Sequence, residues 1–439
     1  MRFFDRAKEI ALLRQIRAKS VENAQFTVLT GRRRVGKTSL VRKAYSDEPF
    51  LYLFVERKSE KDLCEVFQQE IEAFLGEPLL GRAEEFSRLF EILMKRSQHQ
   101  PLTVVIDEFQ EFLKVNKSVF SSIQKIWDLN KDGSKINLVV IGSVNTLMRK
   151  IFFSYRASLY GRATSSLMVR PFAVSVLKQI LAEYKKDFSR EDLLALWTFT
   201  GGVAKYVEIL IDEKAFSRDA MIDVIVRDGS PFINEGRLML AEEFAKEYSV
   251  YFSILSAIAR GKTERNEIEQ VVGKAVSGYL SRLENDYGII VKRLPIFAKD
   301  TAKASRYVLD DNFLIFWFRF VFKYSFMLEI GEYGKLREII RRDYDVFSGL
   351  ALERYFKAAF VESNKWTRIG SWWDRKDENE IGLIAENELD GTYAVCEIKR
   401  DRARIDLDTL KEKYSVFTKV SGKWKRAKPE FLTLSLDDM

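Results

Sequence analysis

The 439-residue sequence contains a single histidine, His99, and only two cysteines, Cys64 and Cys396. One histidine excludes a multi-histidine metal site, and it leaves no basis for a Ser-His-Asp triad elsewhere in the chain. Two cysteines so far apart in sequence exclude both a disulfide framework and a cysteine-rich metal site. The polar residues around His99, which precede Pro101, are typical of a solvated loop.

Long apolar runs and a strong charge imbalance are also missing. The longest apolar stretch, 312–327, is interrupted by Arg319 and Lys323, falls short of a membrane span and predicts a buried helix between domains. The first residues contain no apolar core of signal-peptide length, so we expect a cytoplasmic protein without a membrane partner. Lysine and arginine exceed aspartate and glutamate by 72 to 64, which favours polyanionic partners only weakly.

The composition instead supports several buried cores. Hydrophobic residues make up 46% of the chain and charged residues 31%, a balance that excludes an intrinsically disordered protein. A chain of 439 residues exceeds what one core normally organises, and the length predicts about two to four domains.

A glycine-rich segment with the pattern G-x-x-x-x-G-K-[ST] follows the apolar run 26–30. The run predicts a buried strand, and the pattern predicts a loop that opens a helix. In such a loop backbone N–H groups surround the β-phosphate, Lys37 reaches the β- and γ-oxygens, and the Thr38 hydroxyl ligates Mg²⁺. We therefore expect ATP and Mg²⁺ as cofactors, with the nucleotide bound by Gly31, Arg32, Arg33, Arg34, Val35, Gly36, Lys37, Thr38 and Ser39.

A second signature is the apolar run 102–106, which ends in Asp107 and Glu108 about seventy residues after the loop. Asp107 is expected to hold the Mg²⁺ shell through water, and Glu108 to polarise the attacking water. Adjacent residues on a strand point to opposite faces. Both carboxylates can therefore act only at the strand end, where the backbone is free to turn.

Three further polar residues are candidates for contact with the nucleotide. Ser143 and Asn145 follow the apolar strand 137–141, and either can bond the γ-phosphate or the water; the alternative for each is a helix N-cap. Arg162, ahead of an expected strand at 165–169, can stabilise the transition state; the alternative is a surface arginine.

These segments together resemble the archaeal and bacterial AAA+-type ATPases, which are related to signal-transduction and origin-recognition ATPases. The resemblance is carried by 4–10, 30–40, 105–110, 160–162 and 201–203. It implies a doubly wound, five-stranded α/β core with the P-loop strand central, then a small helical lid. The family has a proline shortly after the glycine pair, where this chain has Ala204. The resemblance therefore does not imply a contact between the lid and the nucleotide base.

The segment 246–310 predicts three helices and a β-hairpin, the order of a winged helix. Lys274, Ser277 and Arg282 would then lie on or near the recognition helix, and Lys299 or Lys303 in the wing. DNA is one candidate partner of these basic residues. The alternative is a module that only packs against its neighbours.

The C-terminal region, 346–439, shows the local order α-β-β-β-α-β and resembles the PD-(D/E)XK restriction-endonuclease-like fold. The resemblance implies a site formed by Glu353, Glu397 and Lys399 with an aspartate on the second strand. Gly382 occupies that aspartate position, and Glu380 can replace it only if the strand shifts or bulges. We expect a degenerate nuclease domain that binds nucleic acid or is purely structural, and a cleavage-competent domain is the alternative.

The sequence therefore predicts an α/β protein with Mg²⁺-dependent ATPase activity, coupled to DNA binding or to a conformational switch. The alternative function is an ATP-regulated DNA nuclease of genome defence or mobile-element biology. AAA+ relatives form rings, so a homo-oligomer is a further expectation from the resemblance, with Arg162 acting within or across subunits. The expected domains are a core at 1–170, a lid at 171–245, a winged helix at 246–310, a helical connector at 311–345 and an endonuclease-like domain at 346–439.

Overall fold

The computed structural model describes residues 1–143, 145–244, 247–298, 304–374 and 378–439. They form two units, one of residues 5–171 and one of residues 1–4 together with 172–439. The first four residues thus belong to the second unit, which corrects the expected core at 1–170. In the part of the chain that is described, no helix is long and apolar enough to cross a membrane.

The first unit alternates strands with helices. Its strands are β1 (Gln25–Thr30), β2 (Leu51–Phe54), β3 (Leu102–Asp107), β4 (Ile136–Ile141) and β5 (Ser165–Met168). Its helices are α1 (Ala7–Ser20), α2 (Lys37–Ala44), α3 (Glu60–Leu75), α4 (Phe86–His99), α5 (Phe112–Val115), α6 (Ser118–Asn130) and α7 (Asn145–Phe152), with a 3₁₀ turn at Phe109–Glu111. His99 ends helix α4 rather than lying in a loop.

The five strands form one parallel sheet in the order β2-β3-β4-β1-β5. Strand β1 is interior, but β4 occupies the middle, which corrects the expectation of a central P-loop strand. Alternate residues of β1 face two different cores: Phe26 and Val28 pack on one side, and Leu29 packs on the other with Leu13 of α1 and Leu40 of α2. Both faces of the sheet are therefore covered, as the apolar strand sequences require.

The second unit begins with helices. These are α8 (Val174–Tyr184), α9 (Arg190–Thr200), α10 (Ala204–Asp212), α11 (Arg218–Ile225), α12 (Pro231–Phe244), α13 (Tyr248–Ala259), α14 (Arg265–Val272) and α15 (Ser277–Asn285). Strands β6 (Ile290–Arg293) and β7 (Arg306–Leu309) then pair antiparallel. Three helices followed by a hairpin match the elements expected at 246–310.

Helix α16 (Asn312–Phe316), a π-helical turn (Trp317–Phe322) and α17 (Ser325–Glu329) follow the hairpin. Most apolar side chains of α16 and of the π-helical turn are buried, which confirms the expected burial for 312–322, whereas α17 has no buried residue. Helix α18 (Tyr333–Glu362) is continuous for 30 residues. The expected domain boundary between residues 345 and 346 therefore falls inside a helix and is wrong.

The chain ends in a four-stranded sheet of order β11-β10-β9-β8, with strands β8 (Arg368–Trp373), β9 (Glu380–Asn387), β10 (Thr392–Ile398) and β11 (Glu430–Leu434) and helix α19 (Leu407–Val420). One face of the sheet belongs to the core of the preceding helices through Leu383 and Cys396. The other face packs on α19 through Ile384 and Leu410. The observed order of elements is the α-β-β-β-α-β order that the sequence predicts.

Candidate active site

The loop between β1 and α2 closes tightly because its glycines adopt backbone conformations that other residues avoid. Gly31 has φ of 150°, and a Cβ there would lie 2.5 Å from the carbonyl oxygen of Val169. Gly36 has φ of 92° and begins helix α2. The loop thus ends at a helix N-terminus, whose free N–H groups favour an anion.

The side chain of Lys37 folds back over this loop. Its ammonium group donates to the carbonyl oxygens of Gly31 at 2.8 Å and Arg32 at 3.0 Å, and the residue is only 7% exposed. The lysine charge is therefore held within the loop, where the sequence predicts the phosphates. The expected residues 31–39 thus form the loop and the start of α2.

Asp107 lies at the end of β3, beside the start of α2. The Thr38 hydroxyl donates to Oδ2 of Asp107 at 2.7 Å, and the backbone N–H of Glu108 donates to Oδ1 at 2.8 Å. A hydroxyl and a carboxylate at hydrogen-bonding distance are both oxygen ligands of the kind that Mg²⁺ prefers, so these residues fit the expected ion.

Tyr52 of β2 is a partner of Asp107 that the sequence analysis missed. Its hydroxyl donates to the same Oδ2 atom at 2.7 Å. Burial and then this hydrogen bond raise the pKa of Tyr52, so its hydroxyl stays protonated and keeps donating at neutral pH. The pairing of β2 with β3, which places Tyr52 two residues from the position opposite Asp107, brings them together, and the sequence gives no signal of that pairing.

Glu108 follows the end of β3 and turns away from the strand. Its φ of 52° and ψ of 39° lie in the left-handed region, which redirects its side chain. Oε2 of Glu108 accepts hydrogen bonds from the Ser143 hydroxyl at 2.7 Å and from the Gln110 amide. Ser143 therefore contacts the candidate base, while the side chain of Asn145 lies outside the described residues.

Arg162 lies away from this loop. It precedes β5, so it lies at the amino edge of the parallel sheet, whereas the P-loop follows the carboxyl end of β1. Six strand residues, roughly 20 Å, separate the two edges. Its guanidinium binds Asp128 at 2.9 Å. The expectation that Arg162 of the same chain lies near the nucleotide is therefore wrong.

In the second unit Glu353 of α18 faces Gly382 of β9. A Cβ added to Gly382 would lie 3.8 Å from the Glu353 carboxyl group, so an aspartate at this position would meet Glu353. Burial, followed by the charge of Glu380, raises the pKa of Glu353 to about 7, and the charge of Lys399 opposes this shift. The charge of Glu397 also raises this pKa, so all four expected residues are close enough to act on one another electrostatically.

Strand β9 also carries a bulge at the glycine. Gly370 pairs with Ile384 and Trp372 with Ile381, so two residues of β9, Gly382 and Leu383, stand opposite one residue of β8. The shift that Glu380 would need is present. However, the Glu380 carboxylate binds the Arg306 guanidinium of the hairpin at 3.1 Å and 3.2 Å.

Glu397 is likewise paired with cations of the chain. Its carboxylate lies 3.2 Å from the ammonium group of Lys399 and 3.6 Å from that of Lys413 on α19. Among the described residues no three His, Cys, Asp or Glu side chains could together hold a metal ion. The Glu380 and Glu397 carboxylates are thus each paired with cations of the chain.

Some of the basic residues expected to face DNA already make contacts within the chain. Arg282 of α15 binds the Glu247 carboxylate at 2.8 Å, and its guanidinium lies 5.0 Å from the ring centre of Tyr279. Ile296, after β6, packs into the core under the C-terminal sheet, and its N–H donates to the carbonyl oxygen of Ser371 at 2.7 Å. The hairpin is thus packed on that sheet; Lys299 and Lys303 lie outside the described residues.

Comparison with known proteins agrees with the geometry of the first unit. Residues 3–210 match a family described as an ATPase domain predominantly from Archaea, and residues 317–427 match one described as Archaea bacterial proteins of unknown function. The uncharacterized protein MJECL04 of Methanocaldococcus jannaschii is 30% identical over 407 residues, which cover 90% of this chain and 87% of that protein.

Solved structures with the same fold include a Walker-type ATPase of Pyrococcus abyssi. It is 21% identical, with a TM-score of 0.54 over 72% of this chain and 96% of that chain. The ORC2 protein of Aeropyrum pernix, solved with ADPNP and ADP, is 15% identical, with a TM-score of 0.47 over 73% of this chain and 94% of that chain.

Proposed function

The chain belongs to the ATPase family found predominantly in Archaea, and from this premise we propose that it hydrolyses ATP in a Mg²⁺-dependent reaction at the loop 31–38. The observation that carries the proposal is the 2.7 Å hydrogen bond between Thr38 and Asp107. It joins the helix that would bind the phosphates to the strand end that carries both acidic residues. Binding of a phosphate chain and activation of water would therefore occur at one place.

Each residue of the site has a distinct task in this proposal. The N–H groups at the start of α2 and the Lys37 ammonium hold the phosphate oxygens, while Thr38 and Asp107 hold the metal ion. Mg²⁺ bound there would supply positive charge for the β- and γ-phosphate oxygens. Glu108 accepts a proton from the attacking water, and Ser143 holds the Glu108 carboxylate.

Tyr52 gives a first test of the metal-binding residues. Tyr52→Phe keeps the ring and removes one hydrogen bond to Asp107, so we expect the apparent affinity for Mg²⁺ to fall about two- to tenfold, the effect of one such bond. The measurement is a Mg²⁺ titration of nucleotide binding, with Tyr155→Phe, which alters an 84% exposed tyrosine, as the control. An unchanged Mg²⁺ affinity would show that Tyr52 does not orient Asp107.

For the second unit, the proposed domains are a winged helix at 246–310 and a degenerate endonuclease-like domain at the C-terminus. The glycine at 382, the pairing of Glu380 with Arg306 and the contact of Lys413 with Glu397 support the loss of nuclease chemistry. One continuous apolar core includes helices α8 to α18 and one face of the C-terminal sheet. A unit with one such core would move as one body, which favours a conformational switch over separately acting domains.

The rival to the conformational switch is ATP hydrolysis that DNA stimulates. The deciding experiment measures ATP turnover with single-stranded DNA, with double-stranded DNA and without DNA. We expect a slow basal rate in the cytoplasmic enzyme that DNA changes less than twofold. Lys37→Ala should weaken ATP binding about 10- to 100-fold, because it removes charge-assisted hydrogen bonds to phosphate. Lys43→Ala, an exposed change on the same helix, is the matched control.

Each outcome of this assay has a definite meaning. If Lys37→Ala binds and hydrolyses ATP like the natural chain, the proposed active site is wrong. If DNA raises the rate severalfold, the DNA-coupled function replaces the switch. If the DNA is cut with Mg²⁺ or Mn²⁺, and Lys399→Ala abolishes the cutting, the C-terminal domain is an active nuclease. Particle mass with and without nucleotide, measured on the same samples, tests for a homo-oligomer.

A further inference from the structure

The side chain of Gln110 lies inside the first unit, next to the candidate base. It belongs to the 3₁₀ turn after Glu108 and is 1% exposed. Its amide nitrogen donates to Oε2 of Glu108, the same atom that accepts the Ser143 hydroxyl. A buried polar side chain that bonds a carboxylate fixes the position of that carboxylate, since the alternative orientations would leave polar groups unpaired.

Gly142 provides the space for this side chain. A Cβ at position 142 would lie 2.8 Å from Oε1 of Gln110 and 2.3 Å from the Met148 side chain. The residues that follow β4 thus help to position Glu108 in two ways. Gly142 leaves space for the Gln110 side chain, and the Ser143 hydroxyl donates a hydrogen bond to Glu108. Among the described residues, no donor reaches Oε1 of Gln110, so its described hydrogen bond is the one to Glu108.

We propose that Gln110 is a positioning residue for hydrolysis: with Ser143 it holds Oε2 of Glu108, so that Oε1 is the oxygen presented to the attacking water. Two donors on one carboxylate oxygen restrict the rotation of the group. The inference rests on the proposed function, because it needs Glu108 to act as the base. It concerns the hydrolytic step alone, since the described bonds of Gln110 do not involve the phosphate-binding loop.

The test compares kcat with ATP affinity in Gln110→Leu, which keeps the size of the side chain and removes its amide. We expect kcat to fall about 10- to 100-fold, the effect of losing a hydrogen bond to a charged group. The dissociation constant for ATP should stay within about threefold of the natural value, since Lys37 and Thr38 are untouched. Gln69→Leu, the same change on the exposed face of α3, should alter neither quantity.

A second variant keeps the proposal falsifiable if the leucine variant does not fold. Gln110→Glu places a carboxylate against Glu108, and two carboxylates at this distance share a proton. A protonated Glu side chain at 110 can donate to Oε2 as the amide does. We therefore expect kcat of this variant to rise as the pH falls, relative to the natural enzyme at the same pH.

The outcomes separate this inference from the function on which it rests. If Glu108→Gln is inactive but both Gln110 variants keep kcat within twofold at all pH values, Gln110 does not position the base and the inference is overturned. If Glu108→Gln itself turns over normally, the proposed role of Glu108 is wrong, whatever the Gln110 variants do. A loss of kcat together with an equal loss of ATP affinity would assign Gln110 a structural role instead.

Discussion

Glu108→Gln is expected to bind ATP as tightly as the natural chain and to hydrolyse it about 10²- to 10⁴-fold more slowly, the usual contribution of a general base. The substitution conserves shape, and the amide oxygen of glutamine can still accept the hydrogen bonds of Ser143 and Gln110. It removes the negative charge and the ability to take up a proton. Binding and chemistry should therefore separate completely in this one variant.

The measurement pairs equilibrium binding of ATP with single-turnover hydrolysis, so that slow product release cannot hide the change in the chemical step. Glu22→Gln, an exposed carboxylate in the same unit, is the control for loss of charge. A variant that still turns over at more than about a tenth of the natural rate would contradict general-base catalysis by Glu108. Weakened ATP binding with normal turnover would instead place Glu108 among the phosphate-binding residues.

The phosphate-binding loop and the strand-end acids could be predicted because their chemistry depends on short-range order. A strand, a turn and a helix are contiguous between residues 25 and 44, so the loop geometry follows from local sequence. The same reasoning explains why the side chains of Asp107 and Glu108 point in different directions, since a turn at a strand end depends on the local sequence. In the structure, the left-handed backbone conformation of Glu108 produces this turn.

The residues missed or misplaced are those whose position depends on sheet topology. Tyr52 reaches Asp107 only because β2 pairs with β3, and no spacing in the sequence records that pairing. Arg162 was misplaced, although a residue that precedes a parallel strand must lie at the amino edge. The bulge at Gly382 depends on the register between β8 and β9, which is set by long-range packing.

Long helices show a different limit of sequence reasoning. Charged residues interrupt the apolar pattern of α18, so the sequence analysis divided this helix between a helical connector that ends at residue 345 and a domain that begins at residue 346. In the structure Leu336 and Ile340 are buried, as are Leu352 and Tyr355 near the other end. The helix packs both of its halves into the same core, and periodicity over a short window cannot detect this.

Glu353→Gln should stabilise the second unit by up to about 3 kcal/mol at pH 8, because one pKa unit corresponds to about 1.4 kcal/mol. The folded pKa of Glu353 is raised to about 7 from 4.5, so its folded form binds more protons than its unfolded form between these values. The stability of the natural chain therefore falls as the pH rises from about 4.5 to about 7. Glutamine carries no such charge, so the variant should lose this pH dependence.

The measurement is urea unfolding at pH 5 and pH 8, followed by tryptophan fluorescence, since six of the seven tryptophans lie in 172–439. The natural and variant chains should be nearly equally stable at pH 5 and differ most at pH 8. Glu338→Gln, an exposed change on the same helix, is the control. If the natural and variant chains were equally stable at pH 5 and also at pH 8, Glu353 would ionise at its ordinary pKa. The positive charges of Lys399 and Arg293 would then offset burial as well as the charges of Glu380 and Glu397.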